Sequence, residues 1–378
     1  MTSPDDMKQA NLDDPEQGFA SEYEADEMDE GPQTIIIQDS RGALSRFLGW
    51  SMAWTGWTCA FVAVIFVFYL WGGKSDYYDT TGGITESYFS GDKYADDKVA
   101  IITISGVIYD GDGFVKQQID RVRRDNSVKA VVVRVDSPGG TVAGSDYILH
   151  HLQKLREEKA ANGKPLPMVV SMGSIAASGG YYVSMAVGEQ DDCIYAEPTT
   201  TTGSIGVIIP HYDVSGLLER FDVKNDSIVS GPRKQMLSMT KPIGEDREVL
   251  QAHVDELFAL FKSRIQEGRP YFQGHSDKLD ELATGEIYTA EQARRLKLVD
   301  KIGFIEDAIE RVAILSGLDS EKVRAIRYNR PESLLDIPAF AQTRGRQSEL
   351  NSLLELSAPK AYYIATSLPP LVRSGRAE

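Results

Sequence analysis

The chain has 378 residues, is 42% hydrophobic and 25% charged, and carries a formal net charge of −16. That length holds two domains, or one α/β domain with extensions. The acidic balance argues against a nucleic-acid surface, because phosphate is repelled, and two cysteines with five scattered histidines make neither a disulfide framework nor a zinc cluster.

Residues 1–40 hold about a dozen Asp and Glu against the single Lys8 and few core-forming side chains, which predicts a disordered acidic tail. From Phe47 to Trp71 no residue is charged, a run of about 25 residues that is long enough to span a bilayer with some tilt. Trp50, Trp54 and Trp57 stand toward one end, Tyr69 and Trp71 at the other, as interface anchors do. The run is too long for the core of a cleaved signal, and the preceding tail is acidic rather than basic. Arg41 and Arg46 precede the run closely, whereas Lys74 with Asp76 follows it. The positive-inside rule therefore predicts a cytoplasmic N-terminus, with the remainder periplasmic or extracellular. A bridge between Cys59, inside this run, and Cys193, far away in the globular part, is geometrically implausible.

Residues 73–97, rich in Gly, Ser, Asp and Tyr, read as a juxtamembrane linker. Beyond it, continuous apolar runs alternate with helical spacing. VAIITISGVI, KAVVVRVDS, PMVVSMGS, DCIYAE and SIGVII predict strands, and VKNDSIVS a further one. GFVKQQIDRVRRD, AGSDYILHHLQKLREEK, SGGYYVSMAVG, DVSGLLERF, EDREVLQAHVDELFALFKSRIQEGR, TAEQARRLKLVDKIG and FIEDAIERVAILSG predict helices. Unbroken rather than alternating apolar strands indicate an α/β fold with its sheet covered on both faces. The last apolar stretch, LNSLLELSAPKAYYIATSLPPLV, is too short and too interrupted by proline to cross a membrane, and reads as a docking helix or a subunit contact.

Three glycine-containing turns fall at strand ends, where open α/β sheets place their sites: DSPGG (136–140), GSIAASGG (173–180) and TTTTGSIGV (199–207). Ser178, between two alanines and two glycines at a helix start, suits a nucleophile whose developing oxyanion meets free N–H groups, with Gly179 and Gly140 as donors. The ordinary role of a serine there is to cap the helix, and that of the glycines is to turn the chain. A nucleophilic serine needs a base. His211, oriented by Asp136, is one choice. The other is a desolvated lysine, and Lys234 in SGPRKQMLS follows a predicted strand; Arg233 beside it does not deprotonate. On spacing alone Lys234 is one lysine among many.

Taken together and in order, VDSPGG, MGSIAASGGYYVSMA, EPTTTTGSIGV, VSGPRKQMLS and GEIYTAEQARRLKLVDKIG resemble the signal peptide peptidase A family of protease IV-like enzymes, over about residues 98–315 and in the short, single-copy form. The resemblance implies a ClpP/crotonase-like α/β fold, peptide hydrolysis by a serine–lysine dyad, and no metal or organic cofactor. Matched by motif, Ser178 is the nucleophile, Lys234 the general base, Ser204 the residue that orients the lysine, and Gly140 and Gly179 the oxyanion-hole glycines. It further implies a homo-oligomeric ring in which neighbouring subunits supply the two dyad residues. The implied substrates are signal-peptide remnants and other short or unfolded apolar peptides beside membrane lipid. A crotonase-like acyl-CoA enzyme, which shares the fold and oxyanion hole, and an inactive protease-like scaffold are the alternatives. Residues 316–378 form a C-terminal extension outside the resemblance, as does the acidic tail.

Overall fold

A computed structural model describes residues 42–76, 79–160, 163–330 and 361–364. The predicted acidic tail, residues 1–40, lies outside them. The chain divides into two units at Tyr69 and Leu70. In the first runs most of helix α1, Ala43–Asp76. Its stretch Trp50–Phe68 is long and apolar enough to cross a membrane, and Trp50, Trp54, Trp57 and Phe61 are all exposed.

The second unit is a mixed α/β domain. In chain order its elements are β1 (Thr85–Gly91), β2 (Lys98–Ser105), α2 (Phe114–Arg124), β3 (Val128–Ser137), β4 (Gly139–Thr141), α3 (Val142–Glu158), β5 (Met168–Ala177), α4 (Gly179–Ser184), β6 (Ile194–Ala196) and β7 (Thr201–Gly203). Then follow α5 (Ser215–Arg220), α6 (Arg247–Gly268), α7 (Ser276–Leu282), β8 (Ile287–Thr289), α8 (Ala290–Arg295), β9 (Lys301–Ile302), α9 (Ile305–Leu315), β10 (Arg324–Asn329) and β11 (Tyr362–Ile364). The main sheet runs β1-β10-β2-β3-β5-β6-β9, with β7 beside the far end of β5 and β8 beside β7. From β10 to β9 neighbouring strands are parallel, while β1 and β8 join antiparallel.

Parallel strands need their faces covered by the crossover helices. Val131, Val132 and Val133 are successive residues of β3, so they point to alternate faces, yet all are buried. Helices α2 and α3 pack on one another, and α9 packs on β3 and β5. Burying each such valine stabilises the fold by about 1.5–3 kcal/mol.

Four predicted elements come out differently. The linker read at 73–97 contains β1, a sheet-edge strand paired with β10 from beyond residue 315. Its composition hid this, because an edge strand exposed on one side tolerates polar residues. VKNDSIVS forms no strand: residues 222–230 are exposed and have no strand beside them among the described residues. SIGVII keeps only an isolated bridge at Ile208, the regular strand being the preceding Thr201–Gly203. Of the terminal apolar stretch only residues 361–364 are described; there the chain forms a strand, β11, where a docking helix was expected, and it pairs with β4 of its own chain, the rest of the stretch lying outside the described residues.

Strand β10 accompanies β2 only as far as Ile101. Past that point the fully buried Gln118 of α2 takes its place. The Thr103 amide donates to its Oε1 at 2.9 Å, and its Nε2 donates to the Thr103 carbonyl at 3.0 Å. Gln118→Leu keeps the volume and strands both backbone groups, so unfolding should become easier by about 2–4 kcal/mol. Urea denaturation of the detergent-solubilised protein measures this; a loss under half a kcal/mol would refute the clamp.

Candidate active site

Strand β3 ends at Ser137, and the chain turns through Gly139, at φ +102°, into β4. There the Ile108 amide donates to the Gly139 carbonyl at 2.8 Å, and the Thr141 amide donates to the Ile108 carbonyl at 2.7 Å. A Cβ on Gly140 would lie 1.9 Å from the Ile108 carbonyl oxygen, so only glycine fits between. Thr141 then caps α3, accepting from the Gly144 amide while its hydroxyl donates to the Tyr109 carbonyl.

Strand β5 pairs with β7 through Ala177 opposite Gly203. At the next residue the Ser178 amide donates to the Gly203 carbonyl at 2.7 Å, and the backbone swings to φ 53°, ψ −113°. The Tyr182 amide donates to the Ser178 carbonyl at 2.8 Å, which starts α4. Ser178 thus occupies the capping position of a helix without capping it. Its hydroxyl is buried, with no hydrogen-bond partner, in a residue 1% exposed. A conformation that side chains avoid costs about 1–3 kcal/mol, and an unpaired buried hydroxyl adds to it. Both penalties turn Oγ away from the local backbone. Gly179 and Gly180 permit the surrounding closeness: a Cβ on the first would lie 2.5 Å from Ser145 Oγ, and on the second 2.5 Å from the Ser137 carbonyl oxygen. A Cβ on Gly139 would meet the Gly179 amide nitrogen at 2.7 Å, so the β4 turn and the start of α4 are in direct contact.

Ser204 follows Gly203 at φ 51°, is buried, and donates its amide to the Glu286 carbonyl at 2.6 Å. It opens onto a cavity of about 370 Å³ lined also by Ile205, Val207, Val254, Phe258 and Gly285. The structure therefore brings together Ser178, Gly179, Gly140 and Ser204. Lys234 stays apart from them. Its side chain is exposed on a turn in which its amide donates to the Gly231 carbonyl at 3.2 Å, and it makes no bond to Ser178 Oγ.

The histidine alternative finds no support. His211 Nε2 lies 3.2 Å from the Ser238 carbonyl oxygen, and Asp136 accepts from Ser174 Oγ at 2.7 Å and from the Ile175 amide at 3.1 Å. That carboxylate shapes the turn in β5 and does not orient an imidazole. Both cysteines are free thiols.

Sequence reasoning missed an aromatic pocket beside the serine. Tyr182 and Phe261 meet edge-on at 5.1 Å, and both stand against Tyr363 of β11, at 5.0 Å and 4.6 Å between ring centres. Tyr182 donates to Asp146 Oδ1 at 2.7 Å, and burial pushes its phenol pKa up, with the Asp146 hydrogen bond adding to the shift. The spacing from Ser178 to Tyr182, one helical turn, was the available clue.

Residues 159–319 match the model of peptidase family S49. A Synechocystis protein provisionally named a protease is 34% identical over 259 residues, which are 68% of this chain and 87% of that protein. The chain belongs to peptidase family S49. It is a serine peptidase. Protease 4 of Salmonella typhi is 34% identical over 69% of this chain, and the chloroplastic serine protease SPPA of Arabidopsis thaliana is 29% identical over 63%. The chain spans 41% and 36% of the length of those two relatives.

The strain at residue 178 is measurable. Ser178→Gly removes the unpaired hydroxyl and suits φ > 0, so it should raise stability by about 1 kcal/mol or more. Thermal unfolding checks it; a Tm lower than the parent's would show that the hydroxyl is satisfied and the backbone unstrained.

Proposed function

We propose that this S49 peptidase is a membrane-anchored endopeptidase in which Ser178 attacks the scissile carbonyl and Lys234 of a neighbouring subunit is the general base. The observation that carries this is the Ser178 hydroxyl, buried, uncapped and unbonded, next in the chain to Gly179, whose amide nitrogen lies against the Gly139 turn. A neutral Lys234 amine takes the Ser178 proton as Oγ bonds to the carbonyl carbon. The Gly140 and Gly179 amides hold the oxyanion, each donor worth about 3 kcal/mol. The lysine then protonates the departing amine, and water hydrolyses the acyl-enzyme. Ser204, facing the cavity next to the nucleophile, orients the incoming amine.

The arm around Lys234 supports a ring. Between residues 208 and 243 the only helix among the described residues is α5, and Tyr212, Leu217, Phe221, Val223 and Ile228 are exposed, Phe221 at 72%. Apolar side chains clustered on an irregular arm fit burial against a second copy better than contact with water. A head-to-tail contact of this kind forms a ring when its rotation closes. The fold is then ClpP/crotonase-like in use as well as in outline, with the site completed by assembly.

Helix α1 serves as a single membrane span, with Arg41 and Arg46 on the cytoplasmic side and the protease domain periplasmic or extracellular. Substrates are signal-peptide remnants and other short or unfolded apolar peptides, which the anchor keeps close. The acyl-CoA alternative gives no role to an arm lysine.

Ser178→Ala and Lys234→Ala should each lower kcat/KM on a fluorogenic peptide by about 10⁴-fold or more, while His211→Ala stays within a factor of a few. Co-expressing the two inactive variants should restore roughly a quarter of the sites by random mixing around a ring. Recovery of none would place both groups within one chain or remove Lys234 from the reaction. Activity should also fall in acid, where a protonated amine accepts nothing.

A further inference from the structure

The turn that carries Lys234 closes on itself. The Lys234 amide donates to the Gly231 carbonyl at 3.2 Å, the Met236 amide to the Arg233 carbonyl at 3.3 Å, and the Ser238 amide to the Gln235 carbonyl at 3.0 Å. Bonds of this kind shape a turn and do not fix where it stands. Its position has to come from the regular structure that follows, helix α6 and the 3₁₀ turn Gly244–Asp246 that leads into it. Among the described residues, every side-chain hydrogen bond or ion pair from residues 231–241 to that structure ends on Asp246. Lys241 Nζ lies 3.0 Å from its Oδ2, and Arg233 Nε 3.8 Å from its Oδ1. Arg233 immediately precedes Lys234 and Lys241 follows it, so one carboxylate grips the turn on both flanks, with one cation to each oxygen.

Asp246 serves the turn and not the helix. It stands at the N-cap of α6, where an aspartate with extended backbone accepts from an amide of the first turn. Here the backbone is already helical, at φ −71° and ψ −12°, and the side chain caps nothing. The residue is only 9% exposed, a burial that acidic side chains reach when they are paired. Out of water the carboxylate attracts its two cations more strongly than it would on the open surface. Leu237 adds an apolar contact, but it lines a cavity of about 190 Å³ with Ile243 and Leu250, and that space leaves the turn room to shift.

We infer that Asp246 is a positioning residue for peptide hydrolysis: by holding Arg233 and Lys241 it fixes where the turn presents the Lys234 amine to the Ser178 hydroxyl of the next subunit. This rests on the reading of Lys234 as the base, given above. A general base works only within reach of the proton it takes. A turn that samples many positions supplies that geometry for a fraction of the time, and the rate falls with the fraction. Asp246 touches neither the peptide nor the reacting atoms, so its loss slows the step at Ser178 and leaves peptide binding as it was. The signature is a lower kcat at constant KM.

Co-expressed pairs of the full chain test this. One chain, Ser178→Ala, supplies Lys234, and the other, Lys234→Ala, supplies Ser178, so every active site of the mixed assembly draws its amine from the first chain. Asp246→Asn, which keeps the shape and removes the charge, is then placed in one chain or the other, and hydrolysis of a fluorogenic peptide is measured. In the Ser178→Ala chain it should lower kcat at least tenfold with KM within twofold. In the Lys234→Ala chain the rate should stay within twofold, because that arm carries no amine to position. Asp246→Glu in the Ser178→Ala chain keeps the carboxylate and should recover at least a third of the rate. Equal losses from the two placements would make Asp246 a residue of folding or assembly and overturn the assignment. So would no loss from the first placement, or a glutamate no better than asparagine. A parent pair that hydrolyses nothing would instead remove the reading of Lys234 as a base shared between subunits, and the positioning role with it.

Discussion

The bond from the Ser178 amide to the Gly203 carbonyl organises the whole site. It extends the β5–β7 ladder one residue past its last strand pair, so the chain is held extended up to the point where it must become a helix. The strained backbone at 178 satisfies both the ladder and the first turn of α4. Gly203 itself sits at φ +87° and Ser204 at φ 51°, so the segment receiving this bond is bent as sharply as the one donating it. Two strained turns facing one another put Ser178 and Ser204 on neighbouring positions, although 25 residues separate them in the chain. The cost is distributed over a rigid sheet whose strands β2, β3 and β5 are buried along most of their length, which is why it can be sustained.

Much of this was legible in the sequence, for a physical reason. Fully buried parallel strands leave unbroken apolar runs, so KAVVVRVDS and PMVVSMGS declared themselves, and the helices between them carried their own periodicity. The ASGG turn was legible because glycine is forced wherever backbone meets backbone, as at Gly140 against Ile108 and Gly180 against Ser137. Edge strands were not legible. β1 and β11 each pair with a segment more than 200 residues away in the chain, and no local pattern carries such pairing. Gln118 reads as an ordinary helix residue, because its role is to replace a strand that ends too soon.

The two ends of the site differ in kind. Around Ser178 every backbone group is fixed by the sheet, and the glycines leave no slack. Around Lys234 the chain is irregular and exposed, and its apolar side chains have nothing to cover them within one molecule. A serine on a rigid frame and a lysine on an exposed arm differ in how firmly one chain holds them.

That division leaves β11 on the rigid side. Backbone bonds to β4 and Ile208 read no side-chain identity, so β11 is held there by its main chain. The side chain of Tyr363 is enclosed by the rings of Tyr182 and Phe261.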